Sequence, residues 1–260
     1  PLAEGLAEVA KTGAGAIDTW PRHHANHREH LDQLGFEQAE QLLDKYNVRI
    51  GAITRYDLGP YRLHEEMPVL SRFGGELLIC GAGTSKGETL KQRVRAFVDS
   101  MAGQVAEAEK RDIKLGIESH SNTLLATPDA LRYFADFIES EHLGLAMAPY
   151  HLPQQPELIA ELVEHFNDKL VFFQAWQYGR GCMKELPQEE QLLQMPGRGP
   201  LDFEPIVSAL ARINYQGWTE IFMHPVPRGI PIAATTDQVT QEINRARTYL
   251  ERCLSRTNAG

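Results

Sequence analysis

The chain is short of cysteine, and the three it has stand far apart. Cys80, Cys182 and Cys253 form no CxxC pair, which excludes a disulfide scaffold and a zinc ribbon and fits a reducing compartment. It also lacks an excess of positive charge. Among 260 residues, 26 Lys+Arg face 35 Asp+Glu, a formal net charge of −9. Proteins that grip a phosphate backbone need a basic face, so nucleic acid is not an expected partner. No apolar run approaches the ~18 residues of a membrane span, so no membrane partner is expected either. No charged-then-apolar leader is visible, and a cytoplasmic location is the expectation, with any signal ahead of Pro1 lying outside this chain. Two familiar signatures are missing as well. The stretch Gly81-Ala-Gly83-Thr-Ser-Lys86-Gly87 has neither GxGxxG nor GxxxxGK[ST] spacing. No GxSxG elbow surrounds a serine, which argues against serine hydrolysis.

What is present is regular alternation. Short apolar runs at residues 14–20, 49–55, 76–81, 114–119, 143–148, 170–176 and 219–224 read as strands, and segments of 3.6-residue periodicity lie between them. The clearest helix places Leu90, Val94, Phe97, Val98, Met101 and Val105 on one face. Thr127 before Pro128 and Asp202 before Phe203 read as caps, and Gly13 and Gly217 as helix stops. Connections from helix to strand are short, whereas those from strand to helix, such as 21–35, 56–66 and 178–200, are long. A parallel β/α barrel gathers such loops on one face, where its active site lies. A doubly wound open sheet is the alternative, but it usually carries a glycine fingerprint. The pattern therefore predicts one α/β domain over residues 1–260, a (β/α)8 barrel with seven strands visible.

Polar residues at barrel strand ends converge on a shared mouth. Those in place are Asp18, Trp20, Arg55, Tyr56, Glu118, His120, His151, Gln174, Gln177, Arg180 and His224. A second cluster, His23, His27 and His30, would share a face if helical, but interleaved arginines favour a solvated loop. Cys182, in a long loop, reads as a bystander thiol.

From Gly116-Ile-Glu118-Ser-His120 onward the chain resembles the xylose isomerase-like TIM barrels. This is the sugar phosphate isomerase/epimerase group, related to the sugar 3-epimerases and endonuclease IV. Leu143-Gly-Leu-Ala-Met-Ala148-Pro-Tyr-His151 is similar to a family strand ending in D-x-x-H. Gly199-Pro-Leu-Asp202-Phe, Leu210 and Tyr215-Gln-Gly217-Trp218 resemble the block before the final strand. The resemblance implies four strand-end ligands (Glu, Asp, His, Glu) around one divalent ion, Mn, Mg or Zn. The first falls on Glu118, while the other three are replaced by Ala148, Gln174 and Phe222. It also implies that His151 and Arg180 contact substrate.

The function so implied is isomerisation or epimerisation of a small sugar or sugar derivative by proton abstraction beside a carbonyl. Lyase chemistry on a keto-sugar is a variant of it. Glu118, His151 and His224 would be catalytic, and Trp20, His120, Gln174, Gln177 and Arg180 would bind substrate. The same three catalytic residues are the candidates for a replacement metal site, whose nitrogen content would suit Zn. Without an ion beside it, Glu118 would lose solvation and its pKa would rise. The alternative is a catalytically degenerate carbohydrate-binding barrel or assembly subunit. The expected partner is a small carbohydrate, with homo-oligomerisation possible. The multi-zinc chemistry of endonuclease IV is opposed by the acidic charge. An eight-stranded barrel needs one more strand than is visible, so a first strand before Pro1 is expected to be missing here.

Overall fold

The computed structural model describes residues 2–179, 184–225 and 232–257. Its strands are β1 (Ala16–Thr19), β2 (Arg49–Thr54), β3 (Leu77–Gly81), β4 (Lys114–Glu118), β5 (Leu143–Met147), β6 (Leu170–Gln174) and β7 (Trp218–Glu220). Its helices begin with α1 (Leu2–Ala10), α2 (His27–Leu34), α3 (Phe36–Tyr46) and α4 (Met67–Arg72). They continue with α5 (Leu90–Ser100), α6 (Ala102–Glu109), α7 (Pro128–Phe137) and α8 (Pro156–Phe166), and end with α9 (Gln188–Gln191), α10 (Glu204–Arg212) and α11 (Thr236–Thr257). All seven strands pair in parallel, in the order β1 to β7, each neighbour reached through helical crossovers. No helix among the described residues is long and apolar enough to cross a membrane.

Strands covered on both faces read as unbroken apolar runs, and every residue of β5 and β6 is buried. Helix starts follow their caps. Thr89 and Gln92 form a reciprocal capping box at α5, and the Thr127 hydroxyl accepts from Ala130 N at 3.3 Å to open α7. Four expectations change in detail. The long helix over Leu90–Val105 breaks at Met101 into α5 and α6. Asp202 lies two residues before α10 and accepts from Glu204 N at 2.9 Å, while Phe203 occupies the cap position. Asn214, with φ of 51°, takes the left-handed conformation after α10 that the sequence assigned to Gly217. The last strand ends at Glu220 instead of residue 224. Its neighbour β6 stops at Gln174, the register partner of Glu220, and the ladder closes there with Ala175 N donating to Glu220 O at 2.7 Å.

The barrel interior is layered, as the twofold alternation of strands requires. Ala52, Leu77, Ile79, Ala146, Val171 and Phe172 form an apolar floor, against which Trp218 packs. Two residues beyond Ala16, Ala52, Gly116, Phe172 and Trp218 on their strands come Asp18, Thr54, Glu118, Gln174 and Glu220. Above them Ala148, Tyr150, Trp176 and Phe222 cluster at the mouth. A polar layer is thus held between two apolar ones.

Among the described residues β1 and β7 do not pair with each other. The gap between them opens into a cavity of about 1030 Å³. Val9 of α1, Ile17 of β1, Leu210 of α10, Trp218 of β7 and Ile243 of α11 are among its walls. This is the place an eighth strand takes in a closed barrel.

Candidate functional site

The polar layer is built by register. Gln174 and Glu220 are partners across β6 and β7, and Gln174 Nε2 donates to Glu220 Oε2 at 3.0 Å. On the other side of the gap, Asp18 pairs with Ala52, and Thr54, two residues on and on the same face, donates its hydroxyl to Asp18 Oδ2 at 2.6 Å. Burial pushes the Asp18 carboxyl up to about 7, partly offset by the Thr54 hydroxyl. Burial also raises Glu220 well above the carboxylate range, reinforced by the nearby charge of Asp18 and, less, of Glu118. Asp18 Oδ1 and Gln174 Oε1 lack a well-formed hydrogen bond, and so does the Trp20 indole N–H, which lies close enough to Asp18 to help hold its carboxyl down.

Histidines and aromatic rings cover it. Glu118, 2% exposed, ends β4. His151 sits on the short helical turn Pro149–His151 after β5, with Nε2 3.9 Å from Glu118 Oε1. That separation is too long for a hydrogen bond. Burial, with His120 and His224 nearby, pulls the His151 pKa down to about 2, so the imidazole is neutral and the two groups form no ion pair. His151 Nδ1 lies 3.1 Å from Ser121 Oγ, and its ring packs on His120 with centroids 3.9 Å apart. Trp20 stacks on Phe222 at 5.3 Å and meets His24 at 5.1 Å and Tyr56 at 5.4 Å. Beneath these rings, Asp18, Trp20, His24, Glu220, Phe222 and His224 line a pocket of about 200 Å³.

Several expected residues have other work. Gln177 is fully buried; its Nε2 donates to Met195 O at 2.9 Å and its Oε1 accepts from Leu201 N at 2.7 Å. Gly199 is the residue that lets this loop close, since a Cβ there would run into Leu193 O and Gln177 Oε1. Gln177 therefore fastens a loop instead of facing the mouth. Arg55 is held by Glu66 and Asp57, and Glu66 also takes Arg28, so both cations are committed to carboxylates. Helix α2 begins at His27, leaving His23 outside any shared helical face with His27 and His30. Cys80 is buried, and burial raises its thiol pKa; Cys253 is buried too. Arg180 and Cys182 lie outside the described residues.

Glu220 and Gln194 went unnoticed in the sequence. Glu220 had a readable sign, because it shares a strand face with Phe222, two residues on. Gln194 had none. It accepts from the Trp176 indole at 2.8 Å and from His224 N at 2.6 Å, and donates to His224 O at 3.2 Å, joining the ends of β6 and β7.

A divalent ion of the kind implied by the resemblance does not fit these residues. Ala148 offers no donor atom and is packed with Tyr150, Trp176 and Phe222. Gln174 offers one neutral amide oxygen in place of an imidazole, and its Nε2 already donates to Glu220. Among the described residues no three His, Cys, Asp or Glu side chains are grouped to hold a metal, and this includes Glu118, His151 and His224.

A parallel barrel whose mouth combines buried carboxylates, neutral histidine and aromatic rings defines the class. The chain belongs to the xylose isomerase-like TIM barrel family, whose model matches residues 6–249. No curated protein sequence matches it. Among solved structures it is similar to an IolI protein with a bound zinc atom, at 14% identity and TM-score 0.73, covering 98% of this chain and 93% of that one. It is similar to an L-ribulose 3-epimerase, also at 14% identity and TM-score 0.73, covering 99% and 90%. A D-psicose 3-epimerase from Clostridium cellulolyticum H10, solved with D-tagatose, is 14% identical with TM-score 0.72, covering 97% and 93%.

Proposed function

We propose that this barrel acts on a small sugar or sugar derivative in the manner of an isomerase or epimerase, removing a proton from the carbon beside a carbonyl. The observation that carries the reading is Glu118, a buried carboxylate at the end of β4 with neutral His151 3.9 Å away. The family and its sugar 3-epimerase neighbours support the substrate class. Glu118 takes the proton. His151, held neutral, exchanges a hydrogen bond with a substrate hydroxyl without adding charge. His224 donates Nδ1–H to Pro225 O at 3.1 Å, so in its neutral form Nε2 accepts instead of polarising a carbonyl. Trp20 and His120 wall the sugar, and Gln174 Oε1 accepts from a hydroxyl. Such acid–base groups contribute about 10²–10⁴-fold.

The test is exchange of substrate C–H for solvent deuterium, followed by NMR over a panel of ketoses and 3-keto sugars. Exchange is expected with the native chain and its loss with Glu118→Gln. Ala148 and Phe222, packed where the family has ligands, favour a second reading, a carbohydrate-binding barrel without turnover. Sugar binding with no exchange in the native chain would select it.

A further inference from the structure

We propose that Ser121 is a positioning residue of this site. Its hydroxyl donates to His151 Nδ1, fixing the imidazole as the tautomer with its proton on Nε2, and His151 thereby meets the substrate as a hydrogen-bond donor. This rests on the proton-abstraction reading above.

The surroundings of the ring fix its orientation. His151 Nδ1 lies 3.1 Å from Ser121 Oγ, while Nε2, on a side chain only 2% exposed, has no hydrogen-bond partner. The ring packs on His120 at 3.9 Å and meets Tyr150 and Trp176 edge-on at 5.1 and 5.2 Å. Its backbone is held as well. Ser119 Oγ accepts from Ala148 N at 2.9 Å, and Ala148 O accepts from His151 N at 3.1 Å, which anchors the turn to the end of β4. Nε2 is therefore kept beside Glu118, and Nδ1 beside Ser121.

A hydroxyl donates or accepts, so Ser121 by itself is compatible with either tautomer. Glu118 decides between them, because its Oε1 is 3.9 Å from Nε2. A lone pair on Nε2 would face the charge of the carboxylate, whereas an N–H there is attracted to it. Both side chains are 2% exposed, so water screens this difference little. With the proton on Nε2, Nδ1 is a bare acceptor, and the Ser121 hydroxyl supplies its donor. His120 shows the opposite arrangement. Its Nδ1 lies against the Ser121 carbonyl, which only accepts, so in its neutral form the proton is on Nδ1. One residue thus orients two stacked rings, His151 through its side chain and His120 through its backbone.

The tautomer has a chemical consequence. When Glu118 takes the proton, the C–H bond breaks and Glu118 is left as the neutral acid. The electron pair passes into the enolate, and negative charge gathers on the substrate oxygens beside the reacting carbon. A donor in reach of those oxygens stabilises that charge, and a neutral imidazole N–H does so without an ionised group in the ground state. A lone pair on Nε2 would repel it.

Nitrogen-15 NMR of the full chain at pH 7, with no sugar present, reads the tautomer, and His151→Phe identifies the signals. The Nε2–H form is expected to dominate in the native chain. In Ser121→Ala, shown by circular dichroism to be folded, the Nδ1–H fraction is expected to rise about fivefold, the loss of one neutral hydrogen bond. Deuterium exchange into D-fructose, D-psicose and D-tagatose is expected to lose about tenfold in kcat in that variant, with KM within about twofold. Ser121→Thr, which keeps the hydroxyl, is expected to restore both. A native ring protonated on Nδ1 would overturn the proposal, as would a Ser121→Ala chain whose tautomer ratio or kcat matches the native chain. Losses in Ser121→Thr equal to those in Ser121→Ala would also overturn it, by showing a structural role alone. No exchange by the native chain with any of the three ketoses, with the Nε2–H form present, would overturn the proton-abstraction reading for them and leave the tautomer assignment standing.

Discussion

Gln174 Nε2 donates to Glu220 Oε2 at 3.0 Å, between register partners on the last two strands of the barrel. A half-buried carboxyl group that loses a neutral donor loses about 1–3 kcal/mol of stabilisation. Gln174→Leu is therefore expected to lower the urea midpoint by an amount in that range, with an unchanged m value. Gln174→Glu sets a second acid against Glu220. It should destabilise more at pH 8 than at pH 5, where the added carboxyl can be protonated.

The raised Asp18 pKa fixes the direction of a pH effect. With a folded value of about 7 against an ordinary value near 4, the folded chain binds more protons than the unfolded chain between those limits. Asp18's contribution to stability is thus present at low pH and is lost as pH rises from about 4 through about 7. His151 acts oppositely. Its depressed value means that below about 6.5 the unfolded chain takes up a proton the folded one refuses, so stability falls toward acid. Melting temperature against pH should show a loss toward alkali that shrinks in Asp18→Asn, the remainder coming from Glu220, and a loss toward acid that shrinks in His151→Phe.

Glu66 receives both Arg28 Nε and Arg55 Nη1 while nearly fully buried, tying the α2 segment to the loop after β2. Removing one partner of such a network strands the other charges. Glu66→Gln is expected to cost about 3–5 kcal/mol. Asp57→Asn, which breaks the more exposed Arg55 pair, should cost less than about 1 kcal/mol. Chemical denaturation of the two variants measures the contrast, and equal losses would contradict this account of the network.

Gln194 joins the Trp176 indole to both backbone groups of His224. Gln194→Leu leaves those buried groups without partners and should destabilise by about 2–4 kcal/mol. Because the indole N–H loses its acceptor, the Trp176 contribution to the emission spectrum should shift as well. Comparison with a Trp176→Phe background isolates that contribution.

Much of the barrel was legible along the chain because each strand covered on both faces leaves a continuous apolar run, and each helix leaves a 3.6-residue stripe. All seven strands were located, and Glu118, His151 and Trp20 were found at the mouth because strand ends are where a parallel barrel exposes side chains. Gln177 misled for the same reason. It follows a strand, but whether its amide faces the mouth or a loop depends on Met195 and Leu201, some twenty residues away. Glu220 was hidden by spacing, since the family's ligand position falls on Phe222, and Glu220 gains its place only by pairing with Gln174.

Periodic apolar runs and the contrast of short and long connections were thus sufficient to determine a parallel α/β barrel. Those properties are local, written in composition and in the alternation of neighbouring residues. Tertiary structure alone decided that β1 and β7 do not pair among the described residues and that Asp18 and Glu220 meet across one pocket. These depend on register and on contacts between residues as far apart as 18 and 220. The pairing of distant strands sets such contacts, and no periodicity along the chain encodes them.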